Sequence, residues 1–254
     1  MCNDVKGILY LVPNTLGPAD AGPVDPLALI IPTGVLALTA RLDYFVAENA
    51  KTARAFLKLV AVTHPLCKPL QEIQIAELSV NTDAAALPSL LAPLLAGRDA
   101  GLISEAGVPA VADPGANLVR LAHAHGVTVK PLVGPSSLLL AVMASGLNGQ
   151  SFAFNGYLPV DAGQRSKRIK ELEERSRQDR QTQLFIETPY RNGTLLEALA
   201  AACRPDTLIS IATGLTLGSE SIQTKPAAKW KSDLGSGTGP DFHKKPTVFL
   251  LLAV

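Results

Sequence analysis

Seven short apolar runs recur along the chain with helix-patterned stretches between them, and that alternation limits the fold more than any other feature. The runs are GILYLV (7–12), DYFVAE (43–48), AGLIS (100–104), VTVKPL (127–132), TQLFIE (182–187), TLISIA (207–212) and TVFLLLA (247–253). Helical spacing occupies 49–60, 83–97, 114–125, 135–146, 163–180 and 192–203. Strands that alternate with helices predict an α/β fold. At 254 residues the chain can form one large domain or two modest ones, each with a full core. A texture change at LNGQSFAFNGYLP (147–159), punctuated by Gly149, Gly156 and Pro159, predicts two domains, 1–155 and 156–254.

Charge and composition exclude several classes of function. A formal net charge of +1 argues against unspecific duplex binding, though it allows a local basic patch. The run PLALIIPTGVLALTA (26–40) falls short of the roughly 20 apolar residues that span a bilayer, and Pro32 and Gly34 interrupt it. It reads as soluble core. The N-terminus has too short an apolar run for a signal peptide, so a cytoplasmic location is expected. Cys2, Cys67 and Cys203 lie far apart without metal-ligand spacing, and His123 and His125 point to different faces of a helix. No metal site is expected. No G-x-x-x-x-G-K-[ST] motif occurs, which argues against a nucleoside triphosphatase.

Local signals sharpen some elements. Asp113 can cap the helix at 114–125, Pro114 suits its first position, and Gly126 suits a left-handed end. The stretch 164–180 carries seven Lys/Arg and four acids. It reads as a solvated helix laced with i,i+4 pairs, or as a modest basic face toward a phosphate-bearing substrate. The region 231–246 reads as a flexible polar loop; its GSGTGP precedes a strand, so it does not fit a dinucleotide fingerprint.

Three strand exits share one grammar. YLVPNTLGP (10–18) leaves through Pro13 and Gly17, and LISEAGVPAVADPG leaves through Glu105, Gly107 and Pro109. KPLVGPSSLLL (130–140) leaves through Gly134 and opens a helix with Pro135, Ser136 and Ser137. Ligands of open α/β sheets bind beyond the carboxyl ends of strands. Glycine lets backbone approach a ligand, and a helix start offers unpaired N–H groups to an anion. One such turn alone reads equally well as loop punctuation. Three together suggest a ligand.

With these motifs, SEAGVPAVADPG, PLVGPSS, LYLVPNTLG and FIETPYR (185–191), the chain resembles the tetrapyrrole-methylase superfamily. Within it, the chain is most similar to the branch that 2′-O-methylates a cytidine of small-subunit ribosomal RNA. The resemblance implies two α/β/α domains with S-adenosylmethionine in the cleft between them, usually as a homodimer. It places Pro13 where the first strand opens onto the cofactor. Ser104 and Glu105, with Gly107, Val108 and Pro109, match the cradle for its methionine end, and Ser136 and Ser137 match the Gly-x-Ser-Ser helix start. Thr188 and Leu215 fall near the adenine.

The chain departs from that branch at two places. AENAK (47–51) stands for Ala-Glu-Asp-Thr-Arg, keeping Glu48 but bringing Asn49 and Lys51. TGLTL (213–217) stands for Arg-Glu-Leu-Thr-Lys, losing three charged groups. Glu48 is the candidate base or orienting group for a ribose hydroxyl, and is equally readable as the cap of the helix at 49–60. Arg191 could hold a phosphate or ribose, or neutralise a local carboxylate. The leading expectation is therefore a methyltransferase acting on ribosomal RNA. A tetrapyrrole or other small molecule as acceptor, and a paralogue that binds cofactor or RNA without catalysis, are the alternatives.

Overall fold

The computed structural model describes residues 5–17, 27–242 and 244–254. Contacts divide the chain into two compact units, Met1–Ser136 and Ser137–Val254.

In the first unit, β1 (Ile8–Val12), β2 (Tyr44–Ala47), β3 (Gln74–Glu77), β4 (Ala100–Ile103) and β5 (Thr128–Pro131) form a parallel sheet in the order β3-β2-β4-β1-β5. Its helices are α1 (Thr33–Ala40), α2 (Ala50–Thr63), α3 (Leu87–Leu95) and α4 (Gly115–Ala124). Alternation along β2 sends Phe45 and Ala47 into a core with Phe56, Leu57 and Leu36, and Tyr44 and Val46 into another with Leu91, Leu94 and Leu118. Both faces are thus covered, which is what a parallel sheet requires. All of the sheet's carboxyl ends consequently lie on one edge, and their loops emerge there.

Helix α4 begins at Gly115, so Pro114 precedes the helix rather than taking its first position. The Asp113 carboxylate accepts the amides of Gly115 (2.7 Å) and Ala110 (2.8 Å), and Gly126 ends the helix at φ +65°. The run at 26–40 contributes α1, while residue 26 lies outside the described residues. No helix among the described residues is long and apolar enough to cross a membrane.

The second unit contains α5 (Ser137–Ser145), β6 (Phe152–Tyr157), α6 (Ala162–Asp179), β7 (Thr182–Glu187), α7 (Asn192–Ala202), β8 (Leu208–Thr213), β9 (Ser221–Pro226), α8 (Ala227–Gly235) and β10 (Thr247–Leu252). Its sheet runs β6-β7-β10-β8-β9, with only β6 and β7 parallel. Phe185 and Phe249 stack at 6.3 Å within its core, beside Trp230, whose indole N–H donates to the Ile209 carbonyl at 2.9 Å. Helix α5 packs on β8, β9 and β10, which assigns it to the second unit. The unit division therefore falls nineteen residues before the boundary expected at 155/156, which lies within β6.

Two expectations change. Residues 231–235 are the last turns of α8 rather than loop, because Trp230 and Asp233 anchor that helix against the sheet; His243 lies outside the described residues. On α6, the solvated reading fits. Arg168–Glu171, Arg177–Glu174 and Arg175–Asp179 pair along the exposed side, while Ile169 and Leu172 face the core.

Candidate functional site

The exits of β1 and β4 are sewn together by Asn14, a residue that motif reading passed over. Asn14 is only 5% exposed. Its side-chain amide donates to the carbonyls of Ser104 and Glu105, both at 3.1 Å, and its Oδ1 accepts the Thr15 amide at 2.8 Å. The Asn14 amide donates to the Gly107 carbonyl (2.8 Å), and the Gly107 amide to the Thr15 carbonyl (3.2 Å). A buried side chain with this many partners is a structural tie.

Gly107 is required by that tie. It sits at φ +69°, and a Cβ there would come within 3.0 Å of Leu16 Cδ2. Its amide is spent on Thr15, so it is the amides of Ala106 and Val108 on either side that make no hydrogen bond among the described residues. Pro109 follows, buried and without an N–H. Ser104, 6% exposed, turns its hydroxyl to the Ala106 carbonyl at 3.1 Å.

The β5 exit meets the same place. A Cβ on Gly134 would lie 2.1 Å from Pro13 Cβ, so these two loops touch at a point where only glycine fits. The chain then passes Ser136 and Ser137 into α5, and neither hydroxyl has a partner among the described residues. The leading amides of a helix have no intrahelical acceptor.

Glu48 stands on the neighbouring edge, after β2. It does not cap α2. Asn49 does, accepting the amides of Lys51 (2.9 Å) and Thr52 (3.4 Å), while Glu77 takes the amide of Ala50 at 2.9 Å. Glu48 Oε2 instead accepts the Glu105 amide at 3.4 Å, and Oε1 has no partner among the described residues. Burial pushes the Glu48 carboxyl above its ordinary range, and repulsion from Glu105 and Asp113 adds to this, while the Glu105 amide opposes it. Burial also raises Asp113. Just before Asp113, Ala110 and Ala112 are held in left-handed conformations at φ 66° and 60°, strain that residues other than glycine seldom sustain.

Pro13, Glu48, Ser104, Glu105, Gly107, Val108, Pro109 and Ser136 therefore belong to one edge of the first unit. In the second unit, Thr188 and Arg191 follow β7, and Leu215 follows β8 in a buried position. Arg191 pairs with the buried Glu187 carboxylate, whose Oε1 also accepts the Thr188 amide at 2.7 Å. Of its two sequence readings, neutralising a local carboxylate is the contact present. Nearby, Asn192 bridges the Lys245 carbonyl and Thr247 hydroxyl, both at 3.1 Å.

No family model matches the chain. It is 36% identical over 222 residues to ribosomal RNA small subunit methyltransferase I of Vibrio cholerae, covering 87% of this chain and 69% of that protein. The protein of the same name from Mesorhizobium japonicum is 40% identical over 137 residues, 54% of this chain and 45% of that one. The Escherichia coli protein is 28% identical over 224 residues, 88% and 71%. The chain thus spans from under half to about seven-tenths of these relatives' lengths. Among solved structures, the methyltransferase CobJ superposes with a TM-score of 0.61 at 18% identity, covering 98% of this chain and 95% of that one. Cobalt precorrin-4 methyltransferase superposes with a TM-score of 0.57 at 14% identity, covering 96% and 94%. At such identities these neighbours establish the fold, the two-domain α/β arrangement of the tetrapyrrole methylases.

Proposed function

The chain belongs to the family of ribosomal RNA small subunit methyltransferase I, and from that premise we propose that it transfers a methyl group from S-adenosylmethionine to a ribose 2′-hydroxyl of small-subunit ribosomal RNA. The observation that carries this reading is the tied edge of the first unit. There, the unpartnered amides of Ala106 and Val108, the unpartnered hydroxyl of Ser136 and the close approach at Gly134 suit a zwitterionic amino-acid moiety. The exposed Glu105 carboxylate suits its positive end.

When bound, S-adenosylmethionine supplies an electrophilic methyl on a sulfonium. Pro13, Ser104 and Glu105, Gly107, Val108 and Pro109 would hold its methionine end, and Ser136 with Ser137 the carboxylate. Thr188 and Leu215 are assigned to the adenine by resemblance. Glu48 Oε1 would accept the proton of the ribose 2′-hydroxyl; a base of this kind contributes about 10²–10⁴-fold. Its raised affinity for a proton suits that role at neutral pH. Arg191, bound to Glu187, neutralises that carboxylate. The substrate implies a cytoplasmic setting.

The test is calorimetry with S-adenosylhomocysteine, followed by labelled-methyl transfer to small ribosomal subunits purified without this methylation. Micromolar binding and transfer of one methyl per subunit support the proposal. Transfer to a precorrin and not to subunits, or cofactor binding with no transfer to either, overturns it.

A further inference from the structure

A hollow of about 510 Å³ opens on the first unit between the β3 exit and the start of α4. Arg120, Asn117, Val80, Thr82 and Pro114 line it, together with Asp113. Its size is in the ~300–1,000 Å³ range of small-ligand sites. Arg120 is exposed, donates to Asn117 Oδ1 at 3.1 Å, and pairs with no carboxylate among the described residues. Both Asp113 oxygens are already engaged by the amides of Ala110 and Gly115, which lessens their opposition to an anion. Val80, 80% exposed, and Pro114 offer apolar surface to the non-polar faces of a ligand.

We propose that this hollow seats the nucleotide next to the reacting one in a single-stranded RNA substrate, with Arg120 on its phosphate. The inference rests on the RNA-methylating reading above. The wall shared by hollow and cradle is the loop 105–115: its first amide, that of Glu105, donates to Glu48 Oε2 at 3.4 Å, and Ala112, Asp113 and Pro114 near its end line the hollow. A strand with its ribose at Glu48 would therefore run its neighbouring nucleotide over Ala112 and Pro114 into the hollow. The reacting edge carries Glu48 and Glu105 and repels phosphate, so a cation set to one side is where a phosphodiester can be held.

The test compares wild type, Arg120→Ala and Arg120→Lys as full chains. Binding of a labelled oligocytidylate ten nucleotides long is followed by anisotropy across a salt series, with S-adenosylhomocysteine affinity measured in parallel. Arg120→Ala should weaken RNA binding about tenfold and flatten the log–log salt slope by about 0.7, the loss of one single-strand phosphate contact. Arg120→Lys should restore most of the slope, and cofactor affinity should be the same in all three chains. RNA binding by Arg120→Ala equal to wild type, while wild type methylates subunits, overturns the subsite and leaves the proposed function standing. Cofactor binding by wild type without RNA binding or transfer overturns both. Saturation of the hollow by cytidine 5′-monophosphate below 0.1 mM (roughly the affinity of a dedicated small-molecule site) would make it a mononucleotide site and also overturn the proposal.

Discussion

Replacing Asn14 by alanine removes the hydrogen bonds to Ser104, Glu105 and Thr15 at 3.1, 3.1 and 2.8 Å. A typical intramolecular hydrogen bond contributes about 0.5–1.5 kcal/mol net, and more is lost where a buried partner is left unpaired. The Ser104 carbonyl is in a buried setting, whereas Glu105 is exposed and water can replace its partner. The sum is about 2–3 kcal/mol, equivalent to a fall in thermal midpoint of about 4–12 °C. Asn14→Asp is the sharper probe. It is nearly isosteric and keeps the acceptor for Thr15, but it sets oxygen against two carbonyls in a neighbourhood that already holds Glu48 and Glu105. It should destabilise at least as much as alanine at pH 8, and recover part of the loss at pH 5 as the new carboxyl protonates. Both variants should bind S-adenosylhomocysteine more weakly by at least tenfold, since the tie aligns the amides flanking Gly107. Circular-dichroism melts and calorimetry measure the two effects. Midpoints within 1 °C of wild type, or Asn14→Asp more stable than Asn14→Ala at pH 8, would refute the reasoning.

Gly134→Ala forces a Cβ into a space 2.1 Å from Pro13 Cβ, so the β1 and β5 exits must part; calorimetry should show cofactor affinity falling tenfold or more, with a far smaller change for Gly193→Ala, where nothing lies within 4 Å. Glu48 has a raised carboxyl, so its charged form opposes folding. Glu48→Gln should therefore raise the melting midpoint at pH 7, with the gain shrinking as pH falls through the raised value and gone below about pH 4, near the unfolded carboxylate pKa. The same substitution should abolish the acid limb of kcat/KM for methyl transfer and lower the plateau about 10²-fold or more; an unchanged limb assigns the base elsewhere.

The buried strands were legible from composition alone, since β1, β4, β7, β8 and β10 are apolar runs covered on both faces. The strands that escaped, β3, β6 and β9, all lie at sheet edges. Edge strands are half solvated, so QIAE and SIQTKP carry no apolar run to read. At the site, the motif glycines and serines could be read, because backbone approach and helix starts restrict residue type locally. Asn14 could not be read in that way: its partners at 104 and 105 are ninety residues distant, and nothing near Asn14 in sequence announces them. The signal available was a polar residue following an apolar strand into a Gly/Pro turn.

The two departures from the RNA-methylating pattern take on different weights once their surroundings are known. At Asn49, the side chain caps α2 through the amides of Lys51 and Thr52, a task asparagine performs as well as aspartate. Losing a charge there removes an acid from an edge that retains Glu48 and Glu105. At 213–217 the chain turns through Gly214 (φ +59°) and Thr216 (φ +67°), with the Thr216 amide held by Glu220 at 2.8 Å. The turn is therefore braced from outside the motif, and what its lost charges remove is attraction for phosphate rather than shape. An RNA substrate must then be gripped by cations elsewhere. Asn49→Asp should accordingly leave methyl transfer within about twofold of wild type, because both residues cap equally well, whereas restoring lysine at Leu217 should tighten oligocytidylate binding and steepen its salt dependence by about 0.7. A Leu217→Lys chain with unaltered RNA affinity would place the RNA path away from that turn.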